Sequence, residues 1–132
     1  MIAPANEHTP LSGQRILVVE DNYLVASALQ QHLEELGCTV VGPVPSLDEG
    51  MAMVEDENLT GAILDINIIG GTSAPIAHAL RDRGCPFFFI TGYTSPRLLP
   101  DSLTDCRRLM KPIDETVLER TIHQELTTAG SQ

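Results

Sequence analysis

The feature that most constrains this chain is a run of four apolar residues, 16–19, that stops at two adjacent acids, Glu20 and Asp21. Such a run indicates a strand buried on both faces, because a strand with one solvated face would alternate apolar and polar residues. Strands of that kind belong to parallel sheets with helices on both sides. The run therefore predicts an α/β fold with acidic side chains at the carboxyl end of its first strand.

Apolar runs of similar length recur along the chain and alternate with segments of helical character. Further strands are predicted at residues 38–42, 62–64, 86–92 and 106–110, the last weakened by two arginines. Helices are predicted at residues 22–36 and after the capping residues Ser46, Ser73 and Asp114. Between residues 94 and 105, two prolines allow only a short or irregular fourth helix. The alternation predicts right-handed crossovers and a doubly wound, five-stranded parallel sheet.

Polar side chains follow the ends of the predicted strands. Glu20 and Asp21 end the first strand, Asp65 the third and Thr91 the fourth, and Lys111 follows the fifth. In open parallel sheets the ligand crevice lies at the carboxyl ends of the strands, so we expect these side chains to converge. Three close carboxylates repel one another unless their pKa values rise or a cation binds, and oxygen ligands suit Mg²⁺, or Mn²⁺ in its place. The set predicts a metal-assisted phosphoryl site in which Asp65 is the nucleophile.

In this order, these residues resemble the receiver domains of two-component response regulators, the CheY-like family with its flavodoxin-like three-layer sandwich, over residues 13–128. The positions that match the family's functional residues are Glu20 and Asp21 for the metal pair, Asp65 for the phosphoacceptor, Thr91 for the switch hydroxyl, and Lys111 with Pro112 for a lysine followed by a proline that is commonly cis. By the same resemblance, the backbone carbonyl of Asn67 is a metal ligand.

The resemblance also implies a mechanism and a partner. A phosphoryl group would pass from a histidine kinase or histidine phosphotransfer protein to Asp65, followed by slow hydrolysis and a shift of Thr91 toward the acyl phosphate. The chain would catalyse its own phosphorylation and dephosphorylation and would not be a conventional multiple-turnover enzyme. It would signal through an unknown downstream protein or act as a phosphate sink.

The chain departs from the usual pattern at one switch position. Arg108 stands three residues before Lys111, where most receivers have an aromatic residue. The string at 87–93, FFFITGY, is similar to the FAT GUY subgroup of stand-alone receivers, which also tends to lack that aromatic, although Ile90 replaces the subgroup's alanine. The ordinary coupling from threonine to aromatic residue therefore cannot operate, and we hypothesise that Tyr93 takes over the aromatic role or gates the pocket.

Composition limits the classes of partner. The chain has 132 residues and a formal net charge of -10, which repels nucleic acid and anionic membranes. Three cysteines without a CxxC spacing argue against a disulfide framework or a zinc site, and the first residues resemble no export signal. We expect a cytoplasmic monomer with reduced thiols, a single domain at 13–128, and flexible tails at 1–12 and 129–132.

Two other functions fit parts of the pattern. A phosphatase of the haloacid-dehalogenase type also places a nucleophilic aspartate after a strand and uses magnesium, but its chemistry wants a general acid where this chain has Asn67. A degenerate receiver would bind partners without phosphorylation, which the presence of all five pocket residues disfavours. Glu20 and Asp21 also fit a simple helix start, where the helix dipole favours acids.

The hypothesis for Tyr93 can be tested directly. We expect Tyr93→Ala to change the rate of phosphorylation, the rate of dephosphorylation or the affinity for a partner, because the aromatic ring stands two residues beyond Thr91. Phosphoryl incorporation and decay, followed by intact mass, measure the first two. Unchanged values for all three properties would show that Tyr93 has no switch role.

Overall fold

A five-stranded, all-parallel sheet forms the centre of the molecule, in the strand order β2-β1-β3-β6-β7. The computed structural model describes residues 11–56, 58–92 and 99–126. The strands are β1 (Arg15–Val19), β2 (Thr39–Val44), β3 (Gly61–Asp65), β4 (Asn67–Ile68), β5 (Gly71–Thr72), β6 (Phe87–Thr91) and β7 (Arg108–Met110). The strand order reverses next to β1, so the predicted doubly wound fold is confirmed.

Four helices cover the two faces of the sheet. They are α1 (Tyr23–Glu35), α2 (Leu47–Met53), α3 (Ala74–Asp82) and α4 (Glu115–Glu125), and a short 3-10 helix spans Asp101–Leu103. This 3-10 turn lies in the segment where the sequence predicted a short or irregular helix. Residues 93–98, in the same segment, lie outside the described residues.

Side-chain caps begin three of the four helices. The Asn22 carboxamide accepts hydrogen bonds from the backbone N–H groups of Leu24 and Val25, at 3.0 and 3.1 Å. Ser46 and Asp114 cap α2 and α4 in the same way. Each cap satisfies helix N–H groups that have no partner within the helix. The helix starts predicted at these residues are confirmed.

Ser73 precedes α3 as predicted, but its hydroxyl does not cap the helix. Its side chain is fully buried and its oxygen has no hydrogen-bond partner, while Thr72 Oγ1 accepts the Ala74 N–H at 3.3 Å. The prediction of a Ser73 cap was therefore wrong. Pro75, the second residue of the helix, has no N–H for a cap to bind, and Ser73 has a ψ of 9° instead of the extended backbone typical of a capping residue.

The sheet separates two apolar clusters, which makes the fold a three-layer sandwich. Successive residues of β1 alternate between them: Leu17 and Val19 pack with α3, whereas Ile16 and Val18 pack with α1 and α4. The second cluster also contains Leu11, which is fully buried. Packing thus starts two residues before the predicted boundary at residue 13. Residues 1–10 of the predicted N-terminal tail and all of the predicted C-terminal tail at 129–132 lie outside the described residues.

Cys38 and Cys85 are buried and Cys106 is half-buried, and all three are free thiols, as the sequence predicted. No disulfide joins them, and burial raises the pKa of the Cys38 thiol to about 11 and that of Cys85 and Cys106 above its usual value. Among the residues that the structure describes, no helix is both long enough and apolar enough to cross a bilayer.

A bulge in β2 determines where the first strand ends. Leu17 pairs with Val41 and Val19 with Val44, so β2 contains one residue more than β1 over this stretch. Gly42 lies in the bulge with a φ of 95°, and the bond to the following proline is cis. Because of the bulge, the Val44 carbonyl accepts the N–H of Glu20 at 2.9 Å. The bulge thereby positions the first acid of the site.

Gly42 should not tolerate a side chain. A Cβ there would lie 2.9 Å from the Val44 nitrogen and 3.1 Å from the Val18 oxygen, both backbone atoms. We expect Gly42→Ala to lower the free energy of unfolding by about 3 kcal/mol, from positive φ plus the clash. Gly84→Ala is the matched control, since its φ is 73° and nothing lies near its Cβ; it should cost about 1 kcal/mol. Equal losses in urea denaturation would contradict the clash.

Candidate functional site

Three acidic side chains meet at the carboxyl ends of β1 and β3, which are neighbours in the sheet. Glu20, Asp21 and Asp65 each offer a carboxylate oxygen, and these oxygens all lie within 4.8 Å of one another. Glu20 and Asp65 are buried, at 2% and 5% exposure, whereas Asp21 is exposed. The convergence that the sequence predicted is therefore present.

Glu20 is held from two sides. Its Oε2 accepts a hydrogen bond from the Asn22 N–H at 2.9 Å, and its Oε1 lies 2.7 Å from the Lys111 Nζ. The second contact is an ion pair that lacks the alignment of a hydrogen bond, so Oε1 stays without a hydrogen-bond partner although it is buried. A buried carboxylate oxygen with spare acceptor capacity is well suited to a further cationic ligand.

Lys111 closes the site from β7 and is the only lysine of the chain. Its Nζ donates a hydrogen bond to Asp65 Oδ2 at 3.2 Å while contacting Glu20. Its backbone N–H donates to the Thr91 carbonyl at 2.8 Å, which continues the pairing of β6 with β7. The Lys111–Pro112 peptide bond, the predicted candidate for a cis bond, is cis. One ammonium thus bridges two buried carboxylates.

The charges in this pocket shift one another's protonation. Burial, with the adjacent Glu20 carboxylate, raises the pKa of Asp65 to about 7 against the opposing effect of Lys111. Burial lowers the pKa of Lys111, but the adjacent carboxylates of Glu20 and Asp65 outweigh this effect and the pKa of Lys111 is raised. The pocket therefore carries more negative charge than one ammonium neutralises.

The donor set fits a hard divalent cation. All three candidate ligands are carboxylates, no sulfur or imidazole is among them, and Glu20 Oε1 has no hydrogen-bond partner. Mg²⁺ favours one or two carboxylates with waters and phosphate oxygens, and Asp21 leaves the set open to solvent. The residues present thus fit the metal that the sequence predicted.

The other predicted residues surround the acids. Thr91 is buried at the end of β6, one residue beyond Ile90, which pairs with Asp65 across the sheet. Asn67 is half-buried at the start of β4. Arg108 lies in β7 and donates to the Thr104 carbonyl at 3.1 Å, while Tyr93 lies outside the described residues. The roles of Arg108 and Tyr93 in switching stay predictions.

The acids open into a cavity of about 390 Å³. Its lining residues are Asp21, Asn22, Val25, Asp65, Asn67, Gly92 and Lys111. Asn22 is the residue of this set whose role the sequence interpretation missed, since it both caps α1 and orients Glu20. An asparagine directly before a helical pattern is the signal that predicts such a cap.

The parallel sheet and the acidic side chains at its strand ends are the arrangement of a receiver domain, and proteins of known structure resemble this chain. SdrG from Sphingomonas melonis Fr1 is 37% identical, with a TM-score of 0.73, over 83% of this chain and 93% of SdrG. A CheY-like response regulator receiver domain protein from Methanospirillum hungatei JF-1 is 27% identical, with a TM-score of 0.73, over 86% of this chain and 93% of that protein.

The phyllosphere-induced regulator PhyR of Methylorubrum extorquens is 28% identical over 114 residues, which are 84% of this chain. This chain spans 43% of the length of PhyR. No protein-family model matches the sequence. The chain belongs to the CheY-like receiver domains of response regulators.

Removing the bridging ammonium should destabilise the metal-free protein. We expect Lys111→Met to lower the free energy of unfolding by about 2 kcal/mol, because two buried carboxylates lose their counter-charge. Arg120→Met, at an exposed position, changes the net charge equally and should stay within about 0.5 kcal/mol of the parent. Urea denaturation in a chelating buffer measures both. Similar losses for the two variants would contradict a local role for Lys111.

Proposed function

We propose that this receiver accepts a phosphoryl group on Asp65 from a phosphohistidine of a partner protein and signals by the resulting change in conformation. The observation that carries the proposal is the contact of one ammonium, that of Lys111, with both buried acids at the strand ends. The surrounding cavity of about 390 Å³ has room for a phosphoryl group beside Asp65. A purely structural ion pair would need no such space.

The chain's own residues have distinct tasks in this transfer. A carboxylate oxygen of Asp65 attacks phosphorus, the phosphorus–nitrogen bond of the donor breaks, and the bond electrons leave with the imidazole, which takes up a proton. Lys111, already 3.2 Å from Asp65, opposes the rise in the pKa of that carboxylate and neutralises charge on the phosphoryl oxygens. The Thr91 hydroxyl then serves as donor to the acyl phosphate and reports its presence.

Glu20, Asp21, Asp65 and the carbonyl of Asn67 would hold a magnesium ion, or manganese in its place. When bound, such an ion supplies positive charge that offsets the acids and the incoming phosphoryl group. Glu20 Oε1, buried and without a hydrogen-bond partner, supports this role.

A groove next to the site supports docking of a phosphodonor protein. It lies between α1 and α4, measures about 290 Å³ and has a mainly apolar lining that includes Leu24, Leu29 and Ile113. Lys111 lines both this groove and the acidic cavity, so the two are adjacent. Leu24, one of the groove residues, is 76% exposed. An apolar surface there suits a histidine kinase or a histidine phosphotransfer protein.

The proposal that phosphorylation changes the conformation of this chain is supported by a similar protein. SdrG has a BeF3-activated conformation, which supports phosphoryl-dependent switching in this chain. We extend the proposal to a stand-alone receiver of the FAT GUY subgroup, cytoplasmic and monomeric, that signals through protein contacts or drains phosphate from a shared kinase. It turns over its own acyl phosphate and is not a general phosphatase.

The central test is intact-mass spectrometry after incubation with acetyl phosphate and Mg²⁺. We expect the wild type to gain the mass of one phosphoryl group and Asp65→Ala to gain none, because the nucleophile is gone. Asp101→Ala is the matched control, since that exposed aspartate lies in the 3-10 helix, and it should be phosphorylated like the wild type. Chelation of the metal should abolish the gain.

The same samples separate the competing functions. Many turnovers of a small phosphate ester without an accumulated acyl phosphate would support the phosphatase. Equal labelling of the wild type and Asp65→Ala would place the chemistry elsewhere, and an unmodified wild type would support a receiver that binds partners without phosphorylation.

A further inference from the structure

The strands β4 and β5 form a small hairpin that starts two residues after Asp65. Asn67 pairs with Thr72 and Ile68 with Gly71, and Ile69 and Gly70 form the turn. The base of the hairpin is tied to the central sheet, because Ile66 donates its N–H to the Ile90 carbonyl at 3.1 Å and accepts that of Ser73 at 3.0 Å. The candidate ligand Asn67 therefore belongs to a unit with a fixed base.

The tip of this hairpin is bonded to the start of α2. Ile69 donates its N–H to the Pro45 carbonyl at 3.1 Å and accepts the N–H of Leu47 at 2.8 Å. These two bonds make a parallel bridge between Ile69 and Ser46, the residue whose hydroxyl caps α2 by accepting the Glu49 N–H. A displacement of the hairpin tip therefore also displaces the residues that cap α2.

The same short segment also contacts the other side of the acidic site. The Val44 carbonyl accepts the Glu20 N–H at 2.9 Å, three residues before Leu47. Residues 44–47 are consequently bonded to the end of β1, which carries Glu20 and Asp21, and to the hairpin, which carries Asn67. The path to α2 is a continuous set of backbone hydrogen bonds and does not depend on flexible side chains.

Helix α2 is short and anchored at its middle, so a displacement at its start changes its first turn. It has seven residues, and Gly50 packs so closely on α3 that an added Cβ would overlap Ile76 Cδ1. Packed interfaces do not deform continuously, so a small shift at the free end of such a helix changes its arrangement in a discrete step.

We propose that the β4–β5 hairpin couples occupancy of the acidic pocket to the first turn of α2. Cation and phosphoryl binding, which this inference takes from the proposed function, stabilise the hairpin in its bonded position and with it the cap at Ser46. Linkage is reciprocal, so loss of the bond at the tip must weaken cation binding.

Two substitutions of Ile69 isolate the backbone bond. The turn has two central residues, Ile69 and Gly70, and Gly70 has a φ of 98°. Ile69 is β-branched and therefore avoids positive φ. A turn with positive φ at the second position only is of type II, which accepts proline at its first position. Ile69→Pro replaces the N–H donated to Pro45 with the ring Cδ, so it breaks that bond and pushes the tip away from the Pro45 carbonyl, while the pairs of Asn67 with Thr72 and Ile68 with Gly71 use other N–H groups. Ile69→Ala keeps that N–H and removes a side chain that is 58% exposed. The alanine variant is the control, since it changes the side chain at the same position and keeps the donor.

The readout is the set of amide resonances during titration with Mg²⁺ alone, followed by beryllofluoride. In wild type and Ile69→Ala we expect shifts at Gly92, in the pocket, and at Leu47 and Glu49, with slower amide exchange at Leu47. In Ile69→Pro, Gly92 should still shift, Leu47 and Glu49 should not, and the Mg²⁺ dissociation constant should rise roughly threefold, as for partial loss of one hydrogen bond.

The outcomes separate failure of the coupling from failure of the site. A wild type in which Gly92 shifts while Leu47 and Glu49 do not would overturn the coupling alone, whether or not Ile69→Pro folds. Equal Mg²⁺ affinity and equal α2 shifts in the proline and alanine variants would overturn it as well. Absence of every Mg²⁺-dependent shift, at Gly92 included, would overturn the proposed function and this inference together.

Discussion

Burial of two carboxylates beside each other is the constraint on which the rest of the structure depends. Glu20 and Asp65 are buried at the carboxyl ends of two central strands, next to an apolar core. Two buried carboxylates side by side are unfavourable without a counter-charge. Lys111 provides that charge from a strand that does not touch β1. The site therefore exists only when β1, β3 and β7 are assembled, and the last of them is an edge strand of three residues.

The three acids differ in exposure, so the pocket has a buried end and an end that is open to solvent. Glu20 and Asp65 are buried and contact Lys111, whereas Asp21 is exposed and lines the mouth of the cavity. A cation bound here would contact the exposed Asp21, and its charge would offset the burial and the Glu20 charge that raise the pKa of Asp65. Under the proposed function, the internal ammonium and the external cation together would let the nucleophile be both buried and accessible.

The sequence predicted the elements that have a strong local signal. Residues 16–19 form a continuous apolar run, and Ser46 and Asp114 stand at helix starts, so the first strand, the helices and these two caps could be recognised without tertiary information. Convergence at the strand ends followed from the rule for parallel sheets. The burial of Leu11 could not be recognised because it depends on neighbours that are distant in sequence, and the missing cap at Ser73 depends on the backbone angles of that residue.

The β4–β5 hairpin after Asp65 is the element that the sequence pattern could not predict, and it is also the element that joins the acidic site to α2. Its strands have two residues each, too few for any periodicity, and Gly70 and Gly71 indicated only a tight loop. Arg108, which stands where the family resemblance predicts an aromatic residue, donates a hydrogen bond to the Thr104 carbonyl. The backbone hydrogen bonds of Ile69 lead from the hairpin to the start of α2. The hairpin, which has the weakest sequence signal, thus connects the acidic site to α2. The connection is made by backbone hydrogen bonds, which need no particular side chain and so leave no sequence pattern.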